Sequence, residues 1–307
     1  MIKRSLLILF LILPSIALSQ YQRPGSSVAQ FLDIGVSARA EAMAGAFISV
    51  EEGAEGAYYN PAMLTSVKDF DAAFTYTRWF ADINHEFFSI AKNIGRVGTF
   101  AFSMTALHTD EMIVRTPLQP DGTGETFYAG SYRAGISFAS ELTNHVSVGL
   151  TGNFIRLYLY KDFVENAYSG DIAVLYDVGV RNFRLGLKIA NFGSSVKFVN
   201  EAYPMPTHFT FGMSANVIEL EKQKVLLSIT AKKPNDGSPQ LASGLEYNFS
   251  ELLFLRGGYN FDDVVRTYAF GVGANISFNS YLVSVDFSYN DFSDLGSVQR
   301  FSIAFQF

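Results

Sequence analysis

The side chains best suited to bind metal or move protons are four histidines, and their spacing argues against both uses. His85, His108, His145 and His208 stand on separate segments, with no two at the i, i+4 interval that lets one helix present a ligand pair. No Gly-x-Ser-x-Gly elbow, phosphate-cradling loop or dinucleotide fingerprint occurs in a fitting context. The absence of cysteine excludes thiol catalysis, thiolate metal sites and disulfides. A net charge of −6 without clustered Lys and Arg argues against nucleic acid as a partner. The expectation is a protein without catalytic residues, metal or cofactor. Another kind of chemistry remains open to the carboxylates. Asp286 and Glu246 share a face with small residues and can pair with Arg184, Lys188, Arg256 or Arg300. Such pairs line pores or hold plugs.

Strands are what must position those pairs. Beyond residue 68 the chain alternates apolar with small or polar residues, the period-two pattern of a strand. Tyr268, Phe270, Val272, Ala274, Ile276 and Phe278 form one face of a stretch whose other face carries Ala269, Gly271, Gly273, Asn275 and Ser277. The same reading places fourteen strands near 69–79, 84–92, 96–107, 127–141, 145–160, 167–177, 181–191, 207–217, 223–232, 240–249, 252–260, 266–278, 281–290 and 297–307. Most exceed the ~5–6 residues of strands in soluble sheets and suit a tilted bilayer crossing. Charged residues make up only 17% of the chain, against 29 Phe, 16 Tyr and 25 Gly, which fits an aromatic face turned to lipid and a small, polar face lining a lumen. The competing architecture is a soluble two-sheet sandwich, with shorter strands and less unequal turns. Here tight joins alternate with joins that include two long ones, His108–Thr126 and Phe192–Pro206. The fold expected is therefore all-β: an outer-membrane β-barrel of about fourteen antiparallel strands, in contact with outer-membrane lipid, over residues 69–307.

The first segment differs. Lys3 and Arg4 precede the apolar run Leu6–Leu13, which Pro14 breaks before the small-residue site Ala17, Leu18, Ser19; residues 1–19 read as a signal peptide. Residues 20–68 do not alternate. An Ala-rich run from Val36 to Met43 favours a short helix that Gly45 can end, and Gly53, Gly56 and Pro61 punctuate the stretch beyond it. A helical plug in the lumen is expected here, with a periplasmic extension as the alternative. At the other end, a last strand closing on Phe305 and Phe307 resembles the signal read by outer-membrane assembly machinery.

The run Gln30–Phe47, with Ala38, Arg39, Met43 and Gly45, precedes Ala57 Tyr58 Tyr59 Asn60 Pro61 Ala62 Met63 Leu64. Together they resemble the N-terminal signature of the PorV/PorQ family, although Ala44 and Met63 stand where relatives carry glycine. That family is similar in fold to the long-chain fatty acid transporters, fourteen-stranded barrels whose N-terminal plug bears the same Asn-Pro-Ala motif. The resemblance implies a non-enzymatic component of the type IX secretion system, either a cargo shuttle or a member of the attachment complex, with secretion machinery or exported cargo as partners. The alternative is a transporter of hydrophobic small molecules such as fatty acids. Phe31, Leu32, Met43, Phe47, Tyr58 and Tyr59 would then line an apolar pocket, unless they serve to pack the plug against the wall. In the loop Phe192–Pro206, Phe198 and Tyr203 are candidates for a protein contact, unless that loop folds back over the mouth.

Overall fold

The computed structural model describes residues 25–50, 53–161, 163–261, 263 and 265–307; the expected signal peptide lies outside them. The alternating stretches form fourteen antiparallel strands that close into one barrel. The first seven are β1 Phe70–Arg78, β2 Asn84–Asn93, β3 Thr99–His108, β4 Gly130–Thr143, β5 Val146–Tyr160, β6 Phe163–Asp177 and β7 Arg184–Gly193. The others are β8 His208–Glu219, β9 Gln223–Pro234, β10 Gln240–Phe249, β11 Leu253–Asn260, β12 Tyr268–Phe278, β13 Tyr281–Asp291 and β14 Ser297–Gln306. Each expected strand has its counterpart. The largest shift is at β6, which begins at Phe163 rather than near 167 because it stays paired with β5 up to the turn at Lys161.

Every strand pairs with its neighbour in sequence, and β14 returns to β1 with Thr75 opposite Ser302 and Ala73 opposite Ala304. Closure matters because hydrocarbon supplies no hydrogen-bond partner for an open edge. The alternation sorts as expected. On β12, Tyr268, Phe270 and Val272 point outward and are exposed, while Ala269, Gly271 and Gly273 are buried on the lumen side. A two-sheet sandwich is excluded by the single closed sheet. Tight joins such as Asn279–Ser280 mark the periplasmic rim, and the long joins mark the outer rim. The outer loops carry two small hairpins, Met112–Ile113 with Thr126–Phe127 and Val196–Lys197 with Ala202–Tyr203.

The N-terminal segment lies within the lumen. Its elements are a 3-10 turn Gln30–Asp33, helix α1 Ala38–Ala42, helix α2 Gly56–Tyr59 and a 3-10 turn Pro61–Ser66. Helix α1 is shorter than the sequence run implies. Ser37 is extended and caps it by accepting from the Ala40 amide, and Met43 leaves helical geometry. Beyond it the Gly45 amide donates to the Ala40 carbonyl and the Ala44 amide to that of Glu41, the paired bonds of a Schellman stop. That motif puts its left-handed residue at Ala44 (φ 55°), the position where the resembled family has glycine.

Helix α1 packs against β11–β14, and the Pro61–Ser66 turn against β4–β6. The wall makes room with glycine. A Cβ on Gly149 would sit 2.3 Å from the Ala62 nitrogen, and one on Gly258 would sit 2.2 Å from the Met43 carbonyl carbon. Gly271 likewise faces Ala42, whereas Gly273 accommodates the Arg256–Asp286 pair instead of the plug.

Candidate functional site

A charged strand residue at bilayer depth must turn into the lumen, where a partner can meet it. The expected pairs form, with a narrower choice of partner. Arg256 takes both candidate carboxylates: its Nε lies 2.6 Å from Glu246, and an Nη contacts Asp286. Glu246 also receives Arg39 of the plug, whose Nε is 2.8 Å away. Lys188 pairs with Asp171, Arg300 with Glu41, and Arg184 with Asp177 at the periplasmic end of β6. Asp171, Arg133, Asp33 and Glu41 were not candidates in the sequence reading. The legible signal for the two wall residues was a lone charge amid small residues, such as Asp171 beside Ser169 and Gly170.

Three further carboxylates are, like Glu246, each shared by two basic side chains. Asp171 serves Arg133 (3.8 Å) and Lys188 (3.4 Å). Asp33 serves Lys232 (2.9 Å) and His208 (3.3 Å). Glu41 serves Arg266 (3.5 Å) and Arg300 (3.8 Å). Burial pushes the Asp33 carboxyl up, but Lys232 and His208 outweigh it and hold the group well below the usual carboxylate range. These three carboxylates and their partners, Arg300 excepted, line a chamber of about 110 Å³ between the plug and β4–β11, with Gln240, Asn260 and Arg266 at its outer-rim end. On the periplasmic side a wider vestibule of about 590 Å³ lies between Arg39, Asp71, Glu246 and Asp286.

Of the two uses open to the apolar side chains of the plug, packing accounts for most of them. Phe31 and Leu32 pack with Ile155, Leu157, Val196 and Met205, while Met43 and Phe47 pack with Ala40, Val50 and Leu226. Leu32, Tyr58 and Tyr59 do border the chamber, among charged neighbours. Both tyrosines also brace the plug. Tyr58 donates to the Leu32 and Ile34 carbonyls, and the Tyr59 hydroxyl accepts from the Val36 and Ser37 amides. Burial pushes both phenols up.

The remaining plug-motif residues either meet the wall or fix the plug's own turns. The Ala38 amide donates to Ser302 Oγ at 2.9 Å. Asn60 accepts from the Ala62 amide, capping the turn that Pro61 begins, and donates to the Ile48 carbonyl at 2.8 Å. It therefore ties together two parts of the plug that are 12 residues apart. Gly45, in left-handed geometry at φ 74°, completes the stop after α1. Asn60→Ala is expected to lower the stability of the plug by about 1–3 kcal/mol, because it strips a cap and orphans a buried carbonyl. Hydrogen exchange at the Ala62 and Met63 amides checks this, and unchanged protection there would refute it.

In the loop between β7 and β8, Phe198 packs against the cluster around Phe31 and Met205, so this part of the loop folds inward. Tyr203 is exposed. Phe305 and Phe307 lie on the outward side near the periplasmic rim, and Phe307 stacks on Phe70 across the β1–β14 seam. The four histidines stay apart: His85 is buried in the lumen, His108 lies near Glu86, His145 sits in a turn beside the Asp177 carbonyl, and His208 pairs with Asp33.

No protein-family model and no curated protein matches the sequence. Solved structures do match in shape. The toluene transporter TbuX of Ralstonia pickettii aligns over 89% of this chain and 98% of its own, with 13% identity and a TM-score of 0.59. The toluene transporter TodX of Pseudomonas putida gives 88%, 97%, 13% and 0.58, and a FadL homologue of Pseudomonas aeruginosa gives 89%, 98%, 10% and 0.56. At such identity the likeness is one of fold. With its lipid-facing aromatic exterior and near full-length alignment to these barrels, the protein is a closed fourteen-stranded β-barrel of the bacterial outer membrane.

Proposed function

We propose that the barrel passes hydrophobic or amphipathic small molecules through the outer membrane, with the lumenal plug as its gate. The observation that carries this reading is the pairing of a plug with a lumenal chamber beneath the outer rim, in a barrel shaped like transporters of toluene. The packed apolar cluster of Phe31, Leu32, Ile155 and Met205 meets that chamber at Leu32 and would have to part to admit an apolar tail. Uptake of labelled toluene and of a labelled fatty acid, with and without the gene, tests it. A several-fold slower uptake on deletion is expected for at least one; equal rates for both would remove the transport reading.

A second reading keeps the barrel as a docking component of the type IX secretion system. It is supported by the plug signature, from Arg39, Met43 and Gly45 to Asn60, Pro61 and Ala62, and by ion pairs that tie the plug to the wall. Tyr203, exposed on the outer loop, is then the first contact, with Phe198 beneath it shaping the loop from within. Affinity purification from gently solubilised outer membranes would recover a giant translocon or exported cargo, and Tyr203→Ser would reduce that recovery without affecting assembly. In either reading Phe305 and Phe307 serve as the assembly signal.

A further inference from the structure

The chamber under the outer rim carries more positive charge than its own carboxylates answer. Its described lining holds four Arg and Lys side chains, Arg133, Lys188, Lys232 and Arg266, against three carboxylates, Asp33, Glu41 and Asp171. From outside the lining Arg300 also claims Glu41 and Asp263 answers Arg266, so the excess sits on Arg133 and Lys188, which share Asp171. Arg133 is 3% exposed and Thr230 6% exposed. Of the lining's buried polar atoms, Arg133 Nη1, Thr230 Oγ1, Asp33 Oδ1 and His208 Nδ1 have no hydrogen-bond partner among the described residues, and the last two are answered by ion pairs, with each other and with Lys232. Buried donors are normally satisfied, and the exceptions call for a missing partner.

Water alone is an incomplete answer. The chamber, at about 110 Å³, exceeds the roughly 10–15 Å³ that one water needs. Water would satisfy the Thr230 hydroxyl, yet it brings no charge, and a desolvated excess of cations favours an anion. The neighbouring hydrogen-bonding groups suit oxygen acceptors. Lys188, already donating to the Tyr58 carbonyl, stands between Arg133 and the Asp33–His208–Lys232 group. From these observations we infer that the chamber is a binding site for a compact oxyanion, a phosphate or carboxylate held by Arg133, Lys188 and Lys232 with Thr230 as a neutral donor. Arg is suited to such a ligand because its planar fork offers parallel donors to two oxygens.

The inference deepens the transport reading by naming the polar end of the solute and rests on that reading for its role in passage. Binding to the purified barrel is measured apart from uptake, so the two can fail separately. The test is calorimetric titration of the full-length protein in an uncharged detergent, with inorganic phosphate and with hexyl phosphate below its micellar concentration. Saturable binding of either is expected. Arg133→Gln should weaken it by about tenfold or more, and Thr230→Val by about fivefold, as loss of a charged and a neutral donor implies. Equal affinity for the two probes identifies a site for free oxyanion, whereas a tighter hexyl ester identifies a headgroup site with a tail path. If Arg133→Gln fails to assemble, Thr230→Val carries the comparison, checked by heat-modifiable migration. Absence of binding by both probes, or affinity unaffected in every assembled variant, overturns the site.

Discussion

Gly258→Val is expected to turn a closed barrel into a conducting one. The Cβ of any larger residue at 258 would lie 2.2 Å from the Met43 carbonyl carbon and 2.4 Å from the Ala44 nitrogen. Both are backbone atoms of the stop that ends α1, so no side-chain rotation relieves the clash. Gly244 on the neighbouring strand faces the Met43 Cβ at 2.6 Å, which blocks an escape sideways. Overpacking of this kind costs about 1–3 kcal/mol, and a plug held by a similar margin would spend roughly fivefold to 150-fold more time unseated. The barrel itself should still assemble, because β11 keeps its outward residues and its pairing. Gly257→Val supplies the control. Its Cβ would point away from the plug, with nothing nearer than 4.0 Å. Planar-bilayer recordings should show frequent large openings for Gly258→Val and the parent's behaviour for Gly257→Val. Identical traces for the two would mean that the plug is not seated on this glycine.

The contrast between those adjacent glycines shows how far the sequence could be read. Alternation assigns Gly258 to the lumen face and Gly257 to the lipid face, as it assigns Phe270 outward and Gly271 inward. Period two reports the face of a sheet, and lipid outside makes that face unambiguous. It carries no information about which part of the plug a lumen residue will meet. The Ala38 amide and Ser302 are 264 residues apart, and Arg39 and Glu246 are 207 apart. Their encounter depends on how the plug threads the closed lumen, which no local pattern encodes. Alternation therefore placed Glu246 and Asp286 on the lumen face with Arg256 among four candidate partners, while the choice of Arg256 for both and Arg39 as the visitor from the plug came only from the folded chain. Phe198 is the same case in a loop: an apolar side chain reads alike whether its partner is another protein or the chain's own Met205. Helix α1 starts late for a local reason, since Ser37 prefers to cap rather than continue a helix.

Glu41→Gln should release α1 from the wall with little change in shape. The substitution keeps the side chain's size and removes its charge, leaving Arg300 and Arg266 without their shared carboxylate. Arg266 stands near the outer rim with 23% of its side chain exposed, so water can answer it, and Asp263 lies 3.8 Å away. Arg300 is fully buried. Its remaining contacts are the Gly35 carbonyl at 3.3 Å, Asn290 Oδ1 at 2.6 Å and the ring of Trp79, none of which is an anion. Removing one partner of a buried ion pair costs about 3–5 kcal/mol, chiefly through the charge left behind. The backbone tie from Asn290 to the Glu41 carbonyl, 2.7 Å long, survives the change and isolates the effect of charge. Limited proteolysis of the plug in detergent-solubilised barrel should become markedly faster in Glu41→Gln. Adding Arg300→Gln should restore much of the resistance, and adding Arg266→Gln should restore less, because the cost tracks the cation that cannot reach water. If Glu41→Gln leaves the plug as resistant as the parent, then the glycine seats at 258 and 149 hold it by shape, and the ion pairs at Glu41 contribute little to closure.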